Sequence, residues 1–194
     1  MTLLLCTLIA VQPRFLGPPE KNPDAGVARP VRPGDAAPPL SGELLDPGED
    51  GARAFDLGAL VGVAAKDPAP AVLVAFFASW CDHHCTDELA LVRNLSEEYR
   101  PSGLRAVLVD LDGDEAQQAA ARALIREQRL AVPVVADRWQ ILARRWLGAQ
   151  PRVPALFVVA GDGMWFTDVG HARLAILSSR TASKIGRASC RERV

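Results

Sequence analysis

Residues 71–88, AVLVAFFASWCDHHCTDE, constrain the fold more than any other part of the chain. They open with eight small, apolar or aromatic residues. That run is too short to cross a bilayer and unbroken in the manner of a strand buried on both faces. Ser79 and Trp80 follow, then Cys81 and Cys85, then a helical pattern. A strand that delivers a cysteine to a helix N-terminus favours the thiolate. Backbone N–H groups without intrahelical partners and the positive end of the helix dipole stabilise its charge. A second cysteine one turn later can close a disulfide onto the first.

The rest of the composition narrows the chemistry. A chain of 194 residues that is 49% apolar has room for one domain with a real core and appendages. Its 22 basic residues nearly balance 23 acidic ones, so no net field steers it to nucleic acid or an anionic membrane. Of the four cysteines, Cys6 lies in an apolar leader and Cys190 in an anomalous tail. One close pair remains, which points to redox or metal chemistry and away from a disulfide scaffold.

Taken in order, residues 1–12 form the leader. Residues 3–11 have the length of a signal-peptide apolar region but lack a basic segment before them and a small-residue cleavage site. Leucines precede Cys6 where a lipidation signal needs a small residue. Residues 13–35 are a proline-rich linker, extended and without apolar periodicity. A domain is expected over 36–183. Within it, 40–45 and 52–60 read as a hairpin around Asp46, Pro47 and Gly48. Leu89, Val92, Leu95 and Tyr99 recur at helical spacing, and Pro101, Ser102 and Gly103 end that helix. Residues 105–111 form a second strand, with Asp112 and Asp114 as N-caps for the next helix. Ala116, Ala119, Ala120, Ala123 and Leu124 are its expected packing face. Residues 132–135 are a short strand, and Trp139, Leu142, Ala143, Trp146 and Leu147 make the buried stripe of a third helix closed by Gly148. Strands at 155–160 and 164–169 flank the Gly161-Asp162-Gly163 turn. This order implies an α/β fold with a mixed sheet covered by helices. The tail is foreign to that pattern. IGRASCRERV (185–194) is what one frame of a common short-read sequencing adapter encodes, and the preceding bases fit Lys184. Residues 184–194 are therefore expected to add nothing to packing, and the terminal helix of the domain is expected to be cut short.

At FFASWC (76–81) the chain resembles the thioredoxin superfamily, in particular TlpA-like or ResA-like extracytoplasmic thiol–disulfide oxidoreductases. The similarity runs from about residue 35 to 169. It includes the APPL entry at 37–40, an inserted α/β unit over 107–137, and Arg152, Val153 and Pro154 ahead of the strand at 155–160. The resemblance implies a thioredoxin-like mixed sheet flanked by helices and a cis Pro154 lying against the cysteine pair. Cys81 would attack a substrate disulfide and Cys85 resolve it, with Trp80, Val153 and Pro154 shaping the groove. It further implies protein thiol or disulfide substrates, a membrane thiol reductase as electron donor, no cofactor or metal, and an extracytoplasmic or membrane-tethered location.

Three features depart from that family. Three residues separate the cysteines here instead of two. Side chains one helical turn apart stand roughly 5–6 Å from each other at Cβ, whereas a disulfide needs about 3.5–4.5 Å. Cys81 must therefore sit off the helix, at or before its N-cap. The buried acid that many thioredoxins carry in the central strand is replaced by Ala75, with Asp82 or Glu88 as substitutes. The C-terminus is compromised. His83 and His84, between the cysteines, are expected to be exposed and, with Asp82 and Glu88, to tune thiol ionisation. The spacing is also similar to that of SCO-type copper chaperones, which would make the thiolates and a histidine copper ligands. His171, however, follows the final hairpin, where that family's histidine precedes the strand. A peroxiredoxin reading would make Cys85 peroxidatic, but Asp82 stands where a threonine is required. A thioredoxin-like module without catalysis is the remaining alternative.

Overall fold

In a computed structural model of the chain, residues 30–48 and 51–166 are described. The strands and helices run β1 (Ser41–Glu43), β2 (Ala54–Asp56), β3 (Ala71–Phe77), α1 (His83–Tyr99), β4 (Arg105–Asp110), α2 (Glu115–Glu127), β5 (Val134–Ala136), α3 (Ile141–Leu147), β6 (Ala155–Ala160) and β7 (Trp165–Phe166). The leader, residues 13–29, the expected terminal helix, His171 and the 184–194 tail lie outside the described residues.

β3 is buried at every position, as an unbroken apolar run demands of a central strand. It pairs in parallel with β4 and antiparallel with β6, so the five-stranded order is β5-β4-β3-β6-β7. The period of two along β3 and β4 divides the core into two layers. Val72, Val74, Phe76, Val107 and Val109 face Leu142, Ala143 and Trp146 of α3, with Leu40 and Leu57 from the hairpin region. Leu73, Ala75, Phe77, Ala106 and Leu108 face Cys85, Leu89, Val92 and Leu95 of α1 and Ala121 of α2. The β1–β2 hairpin is antiparallel and leans on the β5 edge, where Leu45 N–H donates to Val134 O at 2.7 Å. Among the described residues the first to pack on the core is Val31, whose N–H donates to Trp146 O at 3.1 Å.

Some expected contacts are redistributed. Ala116, Ala119, Ala120 and Ala123 face solvent, and α2 instead buries Gln118 and Ala121. Alanines are small enough to satisfy either face, so their spacing alone did not choose one. Trp139 is 77% exposed and stands outside α3. Gln140 in the left-handed region (φ 54°) interrupts the periodicity between them. Asp114 caps α2 by accepting Gln117 N–H at 2.8 Å, whereas Asp112 turns inward and is wholly buried. α3 is capped from further upstream. Asp137 accepts Ile141 N–H at 2.8 Å and Ala143 N–H at 2.7 Å.

The turn between β6 and β7 presses on the chain entering β3. A Cβ on Gly161 would stand 2.7 Å from Ala69 O, a backbone atom that cannot rotate away. Gly161→Ala is therefore expected to cost about 1–3 kcal/mol, read as a lowered urea midpoint. An unchanged midpoint would show that this close approach is slack.

Candidate active site

The site lies where β3 ends. Phe77 is followed by a turn in which Cys81 N–H donates to Ala78 O at 3.2 Å, and α1 begins two residues beyond Cys81. Asp82 is the N-cap, and its carboxylate accepts His84 N–H at 3.0 Å. Cys85 lies in the first turn of α1 and is wholly buried, in the core cluster that also holds Phe77, Leu89 and Leu108. Cys81 is partly buried on the edge of the same cluster. The two form a disulfide with Cα atoms 5.7 Å apart, inside the usual range. The three-residue spacing is accommodated as the sequence required: Cys81 sits off the helix, so the helical Cβ separation does not apply.

The neighbours divide by position. Trp80 is 56% exposed beside the pair. The Val153–Pro154 peptide bond is cis. Ala155 is in register with Phe76, so Pro154 lies off the end of β6, at the sheet edge from which residues 78–81 depart. Val153 packs against both core layers, including the cluster that holds Cys85. His83 and His84 are exposed, with ring centroids 4.1 Å apart. His83 Nδ1 stands 3.8 Å from Asp82 Oδ2. The backbone hydrogen bond from His84, aided by both imidazoles, holds Asp82 below the usual carboxylate range. Glu88, half-buried one turn after Cys85, is pushed up by desolvation. Asp82, His83 and His84 each offer a ligand atom within 4.8 Å of the others, all exposed. Among the described residues they are the only such trio.

Two wholly buried acids stand behind the site, outside the residues that the sequence pattern marks for it. Asp110 ends β4 and Asp112 follows it, and both are wholly buried. Asp112 Oδ2 accepts Ser79 N–H at 2.9 Å, bracing the turn that carries Trp80 and Cys81. Desolvation, together with the charge of Asp112, pushes the Asp110 carboxyl up to about 8. Asp82 is an exposed cap and Glu88 is half-buried, so the wholly buried acids among the described residues are Asp110 at the end of β4 and Asp112 just beyond it. The signal in the sequence was a lone acid at an inward position of an apolar strand, two residues after Leu108.

A disulfide-bonded pair thus stands at a strand-to-helix junction, with one cysteine partly buried, one enclosed, and a cis proline at the same sheet edge. The family model described as AhpC/TSA matches residues 33–164. The chain belongs to the AhpC/TSA family. This AhpC/TSA chain has the thioredoxin-like fold, as its likeness to solved structures shows. A thiol–disulfide oxidoreductase from Bacteroides fragilis is 22% identical, with 75% of this chain and 98% of that one covered and a TM-score of 0.54. A secreted disulfide oxidoreductase from Mycobacterium tuberculosis, described as homologous to DsbE of E. coli, is 16% identical over 72% of this chain and 95% of that one, at a TM-score of 0.52. A peroxidoxin from Mycobacterium tuberculosis is 17% identical over 78% and 97%, at 0.53. No curated protein matches the sequence.

Proposed function

We propose that this AhpC/TSA protein is a thiol–disulfide oxidoreductase of the TlpA-like kind, which reduces disulfides of protein substrates through Cys81 and Cys85. The observation that carries the reading is the unequal burial of a bonded pair, Cys81 partly buried ahead of α1 and Cys85 enclosed in its first turn. In the reduced protein the Cys81 thiolate attacks a substrate disulfide. A mixed disulfide forms and a substrate thiolate leaves. Cys85, deprotonated, then attacks Cys81 Sγ, closing the intramolecular bridge and releasing the second substrate thiolate, which takes up a proton. The substrate gains two electrons and the protein loses two. A thiol donor must return them, and a membrane reductase is the proposed partner. Trp80, Val153 and cis Pro154 form the platform for the substrate backbone, while Asp82, His83, His84 and Glu88 set the local charge.

An extracytoplasmic location fits a disulfide that closes in each turnover and is reopened by a dedicated thiol donor, and it fits the apolar leader of the sequence. The similar Mycobacterium tuberculosis oxidoreductase is described as secreted. No helix among the described residues is long and apolar enough to cross a membrane, so a tether would have to reside elsewhere.

Copper binding is the second reading, favoured by the exposed Asp82, His83 and His84 trio beside two sulfurs that reduction would free. Trapping decides between the two. Cys85→Ala should accumulate mixed disulfides with oxidised protein substrates through Cys81, at least tenfold more than Cys81→Ala, because an enclosed thiol is slow to be reached. Equal trapping by both variants removes the role assignment. Stoichiometric copper on the reduced protein, with no disulfide exchange, favours the chaperone. Rapid oxidation by hydrogen peroxide through Cys85, with no disulfide exchange, favours a peroxidase.

A further inference from the structure

The exchange steps above leave Asp110 and Asp112 unused, yet these two acids are built into the site. Asp110 is in register with Phe77, the last residue of β3. Alternation along β4 puts it on the side of Ala106 and Leu108, the layer that α1 and Cys85 cover. Asp110 Oδ1 accepts Asp112 N–H at 3.2 Å, and the two carboxyls lie within hydrogen-bonding reach of each other. Asp112 Oδ2 in turn holds Ser79 N–H. Leu111 N–H donates to Phe77 O at 3.0 Å, so the loop after β4 is stitched to the segment after β3 at two points. Asp110 Oδ2 and Asp112 Oδ1 are both enclosed and, among the described residues, have no donor when both groups are ionised. One proton between the carboxyls supplies it.

We propose that Asp110 and Asp112 are positioning residues that share one proton and so hold the turn at residues 79–81 in the geometry from which Cys81 attacks. The proposal rests on the oxidoreductase reading for its role in exchange. With the proton on Asp110, its carboxyl donates to Asp112, and Asp112 keeps its other oxygen for Ser79. Loss of that proton sets two buried negative charges against each other. Asp112 is then driven from Ser79, and the turn ahead of Cys81 is released. The groups acting on the pair are few. Arg122 of α2 opposes the shift of Asp110 and is itself bonded to Asp46 and Leu45 O. Asp137, beyond β5, spends both oxygens on α3. On α1 the titratable group with a raised value is Glu88.

The readout is the rate of Cys81 alkylation by iodoacetamide against pH, quantified on the Cys81 peptide of the full chain in the Cys85→Ala background. No second thiol of the pair then titrates. The chain with both acids should show the rise from Cys81 ionisation and a separate inflection near the Asp110 value, about 8. Asp110→Asn keeps a donor but cannot ionise, so that inflection should vanish. Asp110→Ala removes the donor and should slow alkylation at pH 7 by about tenfold, with Asp110→Asn restoring most of it. Far-ultraviolet circular dichroism checks that the variants fold, and Asp112→Asn gives the same comparison from the other partner. Profiles that coincide with and without Asp110 overturn the proposal. Alkylation needs no substrate, so this outcome is separate from any failure of the disulfide-exchange reading.

Discussion

Replacing Trp146 with alanine is expected to cost the fold about 3–5 kcal/mol, the range for emptying a fully buried aromatic site. The indole is wholly enclosed. It meets Phe157 edge-on with ring centroids 5.1 Å apart and Phe76 at 5.8 Å, so three aromatic rings bridge α3, β6 and β3. α3 is only seven residues long. A helix of that length has little stability of its own and is held by its packing and its cap. Since a domain of this size is stable by roughly 5–15 kcal/mol in total, the loss is a large fraction of what is available. Trp146→Phe provides the contrast. Among the described residues the indole Nε1 has no partner, so phenylalanine surrenders volume but no hydrogen bond and should lose much less. Urea unfolding at pH 6 measures both. A Trp146→Ala loss under about 1 kcal/mol would mean that the aromatic bridge contributes little beyond ordinary packing.

The two core layers and the disulfide junction were legible because each rests on a short-range pattern. The run at 71–77 is apolar at every position, and only a strand covered on both sides uses such a run economically. Leu89, Val92 and Leu95 repeat at helical spacing, and the structure buries all three. The position of Cys81 off the helix followed from a distance argument alone. Much of what was not legible depended on partners distant in the chain. Asp112 has the local signature of a cap, but Ser79, 33 residues away, claims its carboxylate. Asp114 then takes the cap. Asp137 starts α3 through bonds to residues four and six positions on, but the intervening Gln140 in the left-handed region hides the spacing of an ordinary cap. The face of α2 was decided by Gln118, a polar residue that hydropathy excludes, whose Oε1 accepts from Arg138 at 3.0 Å. For Asp112 and Gln118 a tertiary hydrogen bond outranked a local preference.

Stability should fall as pH rises from about 5 to about 8, the reverse of what paired surface carboxylates produce. Asp110 has an ordinary value of 3.8 in the unfolded chain and about 8 in the fold. Between these two values the native state keeps a proton that the unfolded state has released. The slope of unfolding free energy with pH is set by protons bound in the unfolded state minus those in the native state, and is therefore negative. The stabilisation is fully present below the unfolded value and is lost as pH rises through the folded one. Each pH unit within the window is worth up to about 1.4 kcal/mol for one group, so the summed effect is a few kcal/mol. Glu88, raised by desolvation, adds the same sign. Asp82 is lowered, so its contribution is lost only as pH falls into the acid range, below this window. Asp110→Asn has no proton to release. Its urea midpoint should be nearly flat from pH 5 to 8 and should pass that of the unmodified chain at the alkaline end, with the disulfide intact in both. A midpoint in the unmodified chain that is flat or rising over this window would mean that the Asp110 carboxyl is already ionised in the fold, and would remove the shared proton from the site.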